Sequence, residues 1–306
     1  MKNRLLCSAL VLICTSAQAQ VELVDTAFLE IPAMRDYCIG ATGEEDYFTI
    51  QSINGEISQI ATRHKSNGVW SEPVLMPFCD AYTYMEPSLS PDGMYLYFAS
   101  DRPVSDTSHT KKDFDIWYVK RPRPGAPWSK PIALPAPVNS AGDEFYPCLT
   151  ANQDLYFTMD AKSGLGKDDI YVAHWNGKSY DAPLLCSTAI NSAGYEFNAW
   201  VAPDGNTMIY TKYATADGFG SGDLYMAQKD QAGNWQPAVN MGIQCNSAFM
   251  EYCPYYDYNT QTLYFTSKRS SLEPKDYQDI DGLLDEISGA HNGQSRLYRM
   301  ALQLPK

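Results

Sequence analysis

The sequence predicts an all-β fold, a β-propeller of four-stranded antiparallel blades, five in number and closed by the N-terminal strand. Three observations predict it. One segment recurs as EPSLSPDGMYLYFAS (86–100), EFYPCLTANQDLYFTM (144–159), EFNAWVAPDGNTMIYTK (196–212) and EYCPYYDYNTQTLYFTS (251–267), with a fainter copy, DYCIGATGEEDYFTI (36–50). Anchored on the Tyr-Phe pairs at 47/48, 97/98, 156/157 and 264/265, with Ile209-Tyr210 in the fourth copy, the steps are roughly 50 to 60 residues, the range of large propeller blades. Each copy divides into four strand-like runs separated by turn residues. The last copy stops after three runs, while an orphan run, VELVDTAFLEI, precedes the first.

Taken in chain order, residues 1–19 read as a secretory signal peptide. Lys2 and Arg4 precede the apolar run LLCSALVLIC, and Ala17-Gln18-Ala19 offers a small-residue cleavage site after Ala19. That run is shorter than the ~20 apolar residues of a membrane span, so no transmembrane anchor is expected. The location is therefore periplasmic or secreted. Residues 20–306 form a single propeller domain, with blades at approximately 31–78, 79–138, 139–190, 191–245 and 246–306, the last completed by 20–30.

Within a blade, turn chemistry separates the runs. In the second copy EPSLS leads to the turn Pro91-Asp92-Gly93, MYLYFAS and FDIWYVK follow, and WSKPIAL comes after Gly125-Ala126-Pro127. This is a four-stranded meander, rich in the aromatic and β-branched residues that suit pleated, half-buried surfaces. A single such sheet leaves faces and edges uncovered, which only stacking on neighbours protects.

Net charge is −13, which disfavours nucleic acid, because phosphate binding needs a basic face. Of eight cysteines, Cys7 and Cys14 fall in the leader. The remaining even number in an exported chain suggests disulfides, and the repeat alignment favours Cys38–Cys79, Cys148–Cys186 and Cys245–Cys253 among the fifteen connectivities; buried free thiols are the competing reading.

The pattern SPDGMYLYFASDRP, FDIWYVKRP, WSKP and PVNSAGDEF resembles the TolB-like, WD-type β-propeller repeats of bacterial envelope proteins. The resemblance covers nearly the whole mature chain and implies a platform for protein contacts in the periplasm. No separate peptidoglycan-binding or peptidase segment stands beside the repeats.

Residues repeated in every blade are most economically assigned to the blade itself. Asp115, Asp169 and Asp223 open the third runs, where a short acceptor satisfies donors of the preceding loop. Trp70, Trp128, Tyr180 and Trp235 recur in the fourth runs as packing residues. Glu144, Glu196 and Glu251 share one position, with Glu86 and Asp36 two residues further along. They form a candidate binding set at the channel, where like charges raise pKa values or recruit a cation. The alternative is that each glutamate binds donors of its own linker or pairs with an arginine such as Arg102 or Arg269. Trp200 is the best single candidate for stacking on a ligand, with core packing as its other reading. A metal ligand set cannot be read from the sequence. No cofactor is expected, and a Ca²⁺ ion near the channel mouth stays open.

The connections between second and third runs vary most, and the longest, 268–294, holds the helix candidate at 276–287. There Ile280, Leu283, Leu284 and Ile287 fall on one face, able to pack on the propeller rim or to meet a partner.

No nucleophile elbow, zinc-protease helix, phosphate loop or dinucleotide fingerprint occurs, and His64, His109, His174 and His291 lie in different copies. No catalytic residue is assigned, and the reading leans against an enzyme. The expected function is a binding platform for an envelope protein or a cell-wall glycan. The alternative is a carbohydrate-active enzyme, a glycosidase using central carboxylates.

Overall fold

The structure, a computed structural model, describes residues 20–104 and 111–305. The signal peptide expected at 1–19, with its cleavage site, lies outside the described residues, as does His109. No helix among the described residues is long and apolar enough to cross a membrane.

The described residues form an all-β propeller of five blades. The first blade is built from Ala33–Ile39, Glu45–Gln51, Ser58–Ser66 and Val74–Leu75, with the short strand Val69–Trp70 added. The second takes Tyr84–Leu89, Tyr95–Ser100, Asp115–Lys120 and Ile132–Ala133. Glu144–Leu149, Leu155–Met159, Asp169–Ala173 and Leu184–Leu185 make the third. The fourth comprises Glu196–Val201, Thr207–Tyr213, Gly222–Gln228 and Val239–Asn240. In the fifth, Glu251–Asp257, Thr262–Ser267 and Arg296–Ala301 are joined at the outer edge by Glu22–Leu23.

The blades are four-stranded antiparallel sheets, the first with the two-residue strand Val69–Trp70 added. One part of the sequence expectation is corrected: the blades are not joined into a closed barrel by the N-terminal strand, which supplies only two residues, Glu22 and Leu23, at the outer edge of one open sheet. Apart from the single bridge Gly222–Met250, strand pairing stops at the edges of each blade. Packing between sheet faces holds the ring together.

The aromatic pairs supply that packing. Phe48, Phe98, Phe157, Tyr210 and Phe265 are fully buried at equivalent places on the second strands. Burying a side chain of this size removes enough apolar area to stabilise by roughly 1.5–3 kcal/mol, so the five together fix the blade spacing. The residue before each, Tyr47, Tyr97, Tyr156 or Tyr264, faces a cleft between blades. There an outer aromatic of the next blade meets it: the Tyr47 and Trp128 rings lie 6.1 Å apart, and Tyr156 and Trp235 6.4 Å. A cation lies over these tryptophans, Arg121 at 4.2 Å from Trp128 and Lys229 at 4.8 Å from Trp235. In the cleft between the fifth and first blades, Arg63 lies 4.8 Å from Trp70. Arg121 is held by a buried pair with Glu45, donating to both carboxylate oxygens.

The aspartates opening the third strands do accept from their loops. Asp169 Oδ2 takes Leu165 N–H at 2.7 Å and Gly166 N–H at 3.0 Å, and Asp223 Oδ2 takes Phe219 N–H at 2.6 Å. Asp115 instead pairs with Lys112 at 2.9 Å. These loops press on the linkers of the following blade: a Cβ on Gly220 would come within 1.8 Å of Phe249 O, so only glycine passes there.

The expected disulfides are absent. All six cysteines of the described residues are free thiols, with no pair at bonding distance. The reason lies in what each sulfur touches. Cys148 Sγ accepts from Val201 N–H at 3.2 Å, Cys79 lies 3.6 Å from Ile60 O, and Cys253 Sγ accepts from Arg35 at 3.4 Å. The thiols serve as small core residues.

The helix runs over Ile280–Ser288, capped by Asp279, whose side chain accepts from Gly282 N–H. It does not pack on the rim. Ile280 is 68% exposed, and Leu283, Leu284 and Ile287 are exposed with it.

Candidate functional site in the central channel

The innermost strand of every blade carries a β-bulge at the same place. Register shifts fall between Arg35 and Tyr37, Met85 and Ser88, Phe145 and Cys148, Phe197 and Trp200, and Tyr252 and Tyr255. At each bulge one non-glycine residue adopts positive φ: Asp36 (55°), Glu86 (61°), Tyr146 (49°), Asn198 (55°) and Cys253 (52°). Such backbone costs of order 1–3 kcal/mol and persists only where the surroundings over-determine it. The bulge is thus architecture, repeated in every blade. The residue placed on it is different in every blade.

These singular residues meet at the centre. Arg35 Nε donates to Asp36 Oδ1 at 2.9 Å and Arg35 Nη2 to Glu86 Oε1 at 2.7 Å, so one guanidinium bridges two carboxylates. Glu86 N–H donates to Asp36 Oδ2 at 3.1 Å, and Tyr146 N–H donates to Glu86 Oε2 at 2.7 Å. The Tyr146 hydroxyl donates to Pro254 O at 2.8 Å. Asp36 is 1% exposed and Glu86 3%.

Burial pushes the Glu86 carboxyl up to about 7, with Arg35 opposing the shift and Asp36 adding to it. Arg35 itself is raised well above the usual guanidinium value, since its carboxylate partners outweigh its burial. The half-buried Met85, Phe145 and Phe197 stand on the linker side of this centre, and Arg35 lies 5.3 Å from the Tyr252 ring.

The repeated glutamates occupy different ground. Glu144 accepts from Ser140 N–H and its hydroxyl, Glu196 from Ser192 N–H and hydroxyl, and Glu251 from Ser247 N–H and hydroxyl. Each is sealed within its own linker. Glu196 lies 3.4 Å from Lys212 and Glu251 3.3 Å from Arg269, whereas Met159 stands opposite Glu144 in the register. With no cation in contact, Glu144 is pushed by burial up to about 7, partly opposed by its Ser140 bonds and, more weakly, by Lys112.

Arg269 also donates to Cys245 O and lies 4.7 Å over the Tyr298 ring. Arg102 donates to the Tyr84 hydroxyl at 3.3 Å and lies over Trp117 at 4.9 Å. Neither reaches Asp36 or Glu86. Trp200 sits at the far end of its strand from Glu196, 6% exposed, with its ring 5.6 Å from Tyr256 and 6.0 Å from Tyr258. These rings line a cavity of about 150 Å³ at the mouth opposite the linkers.

The structure therefore brings together two of the residues singled out in the sequence, Asp36 and Glu86, and adds Arg35, Tyr146, Asn198 and Cys253. The added ones were legible only in part: aligning the copies on the Tyr-Phe pairs puts Asp36 and Glu86 level with Asn198 and Cys253, but the third copy is one residue shorter before its pair, so Phe145 rather than Tyr146 falls at that level. Matched on the bulges, Tyr146 is equivalent to Glu86 and Asp36, and Glu144 to Tyr84 and Met34. Among the described residues no group of three or more His, Cys, Asp or Glu side chains is arranged to hold a metal ion.

No family model and no curated relative matches the chain. Solved structures match its fold. An α-L-arabinofuranosidase from Podospora anserina, in complex with cellotriose, superposes at a TM-score of 0.55 with 11% identity, over 94% of this chain and 97% of that one. The α-L-arabinofuranosidase of Lactobacillus brevis does so at 0.51, with 13% identity over 90% and 95%. TolB from Acinetobacter baumannii reaches 0.46 with 11% identity over 88% of this chain, which spans 55% of TolB's length.

At such identities the likeness shows the fold alone, a five-bladed propeller weakly similar to TolB and to glycosidase propellers. It corrects the leaning against an enzyme. Two glycosidases share this architecture along nearly their whole length, and a propeller fold by itself is compatible with a binding platform and with carbohydrate chemistry alike.

Proposed function

We propose that this chain is a carbohydrate-active propeller, hydrolysing a glycosidic bond with Asp36 and Glu86 as its two carboxyl groups, outside the cytoplasm. One observation carries the reading. Two carboxyl groups at singular positions of a repeated frame share one arginine, and burial lifts Glu86 to about 7. Glycoside hydrolysis needs such a pair, one carboxyl protonated at working pH and the other ionised.

In this scheme Glu86 gives its proton to the departing glycosidic oxygen as the bond to the anomeric carbon breaks. The Asp36 carboxylate then either bonds that carbon or takes a proton from the attacking water. Arg35, whose guanidinium pairs with both carboxyl groups, must withdraw from Glu86 as a sugar enters. The solved glycosidase propellers, one holding cellotriose, lend support through fold.

The near-complete burial of both carboxyls favours a second reading, a platform that binds an envelope protein or cell-wall glycan without cleaving it. The test is hydrolysis of a panel of aryl glycosides and plant and bacterial polysaccharides by the purified protein, beside Asp36→Asn and Glu86→Gln. Cleavage by the native chain that falls at least a hundredfold in both variants supports the enzyme. Binding with no cleavage anywhere on the panel overturns it in favour of the platform.

A further inference from the structure

Three of the five clefts between blades, those holding Trp70, Trp128 and Trp235, follow one rule, and the cleft between the second and third blades breaks it. Where a third strand ends, the residue bridged to the outer aromatic is Lys65 opposite Trp70 and Lys229 opposite Trp235. In the first-to-second cleft, Arg121 covers Trp128. A cation thus fills the slot beside the tryptophan and charges it. In the third blade the bridged pair is Trp175 and Tyr180, so a ring stands where the cation should be.

The result is a cavity of about 620 Å³ between the second and third blades, walled by Tyr95, Tyr97, Tyr118, Trp175 and Tyr180. The rings form a connected set: Tyr95 and Tyr118 lie 5.9 Å apart, Tyr97 and Tyr118 5.5 Å, and Trp175 meets Tyr180 edge-on at 5.1 Å. All but Tyr97 are half-buried, leaving part of each ring open. Asp92, Thr150 and Gln153 supply acceptors and donors at the wall, and no lysine or arginine lines it. The backbone at Trp175 is held from behind, its main-chain N–H donating to Asp154 Oδ1 at 3.2 Å while His174 Nδ1 lies 3.1 Å from Asp154 Oδ2.

We infer that this cleft is a binding site for a neutral oligosaccharide, a reading that rests on the glycan-directed function proposed above but uses none of its residues. Pyranose rings present an apolar C–H face to an aromatic ring and hydroxyls around their rim, which is the chemistry the cleft offers. The volume lies within the roughly 300–1,000 Å³ of small-molecule sites. A ligand bearing carboxylates or phosphates finds no cation here and meets Asp92. The cleft shares Pro91 and Leu149 with the small cavity at the channel mouth, so a chain bound in it extends toward the centre of that face.

The experiment is titration calorimetry and tryptophan fluorescence with neutral hexose oligosaccharides (cello-, malto- and manno-tetraose) and with tetragalacturonate as the charged probe. Trp175→Lys installs the cation of the other blades and Trp175→Phe keeps a ring. The expected result is binding of at least one neutral probe, weakened tenfold or more by Trp175→Lys, largely kept by Trp175→Phe, and unchanged by Glu86→Gln. Equal binding by the native chain and Trp175→Lys, or no neutral probe bound, overturns the inference. Hydrolysis that persists in either case leaves the proposed activity standing, and tighter binding of tetragalacturonate counts against the neutral ligand.

Discussion

Glu86 Oε2 accepts a hydrogen bond from the backbone N–H of Tyr146, one blade further on, at 2.7 Å. The corresponding donors of three other blades go to threonines on the preceding blade: Glu86 N–H to Thr49 (3.2 Å), Asn198 N–H to Thr158 (3.2 Å) and Asp36 N–H to Thr266 (3.2 Å). Ala99 occupies that place in the second blade and has no hydroxyl to offer, so a carboxylate from the channel substitutes for it.

Removing that carboxylate is therefore expected to orphan both a buried N–H and part of Arg35. Glu86→Ala should cost about 3–5 kcal/mol, as for one partner of a buried ion pair. Adding Ala99→Thr to it should return about 1 kcal/mol by restoring the missing acceptor. Urea unfolding of the single and double variants checks this. A double variant no more stable than Glu86→Ala would refute the substitution of carboxylate for hydroxyl.

Glu144 gives a pH dependence with a definite sign. Its folded carboxyl, held at about 7 by burial, binds a proton more tightly than the unfolded one at about 4.3. Its contribution to stability is complete below the unfolded value and is lost as pH rises toward 7. Glu144→Gln should flatten this part of the Tm profile, and Met159→Lys, which supplies the cation that Glu196 and Glu251 already have, should raise Tm at pH 8 by a few degrees. Identical Tm profiles for the three proteins from pH 4 to 8 would rule the account out.

Thiol chemistry should report six free cysteines in residues 20–306. Burial pushes Cys79, Cys148 and Cys186 up to about 12, so their reaction with a thiol reagent at pH 8 should be slow in the folded protein and complete in guanidinium chloride. Recovery of fewer than six thiols from unreduced, denatured protein would show that disulfides form after all.

The exposed helix and the buried core should respond in opposite ways. Leu284→Glu lies on the open face of the helix and should change stability by no more than ~0.5 kcal/mol. Phe157→Ala, at a fully buried site, should cost about 3–5 kcal/mol. A large loss from Leu284→Glu in chemical denaturation would mean the helix packs on the ring in solution.

The periodic features were legible because they are local and repeated. The second-strand aromatics, the turn glycines and the loop-accepting Asp169 and Asp223 each show in a single copy and again in the next. What escaped depended on one extra residue. The bulge at Tyr146 turns that side chain to the channel and leaves Glu144 in its linker, and sequence spacing carries no mark of where pairing slips by one. Pairing the cysteines failed for another reason: Cys38 and Cys79 share one hydrophobic cluster, yet sharing a cluster is far less than placing two sulfurs at bonding distance. The channel centre, assembled from all five blades, lies beyond any argument from neighbouring positions.

The outer edge of the fifth blade joins Glu22 to Arg299, residues 277 positions apart. Synthesis delivers the first of these long before the last, so this segment must wait unpaired while four other sheets take shape. Contacts of such long range form slowly. A two-residue edge also detaches easily, and amide exchange at Leu23 and Val24 should outpace that of every inner strand.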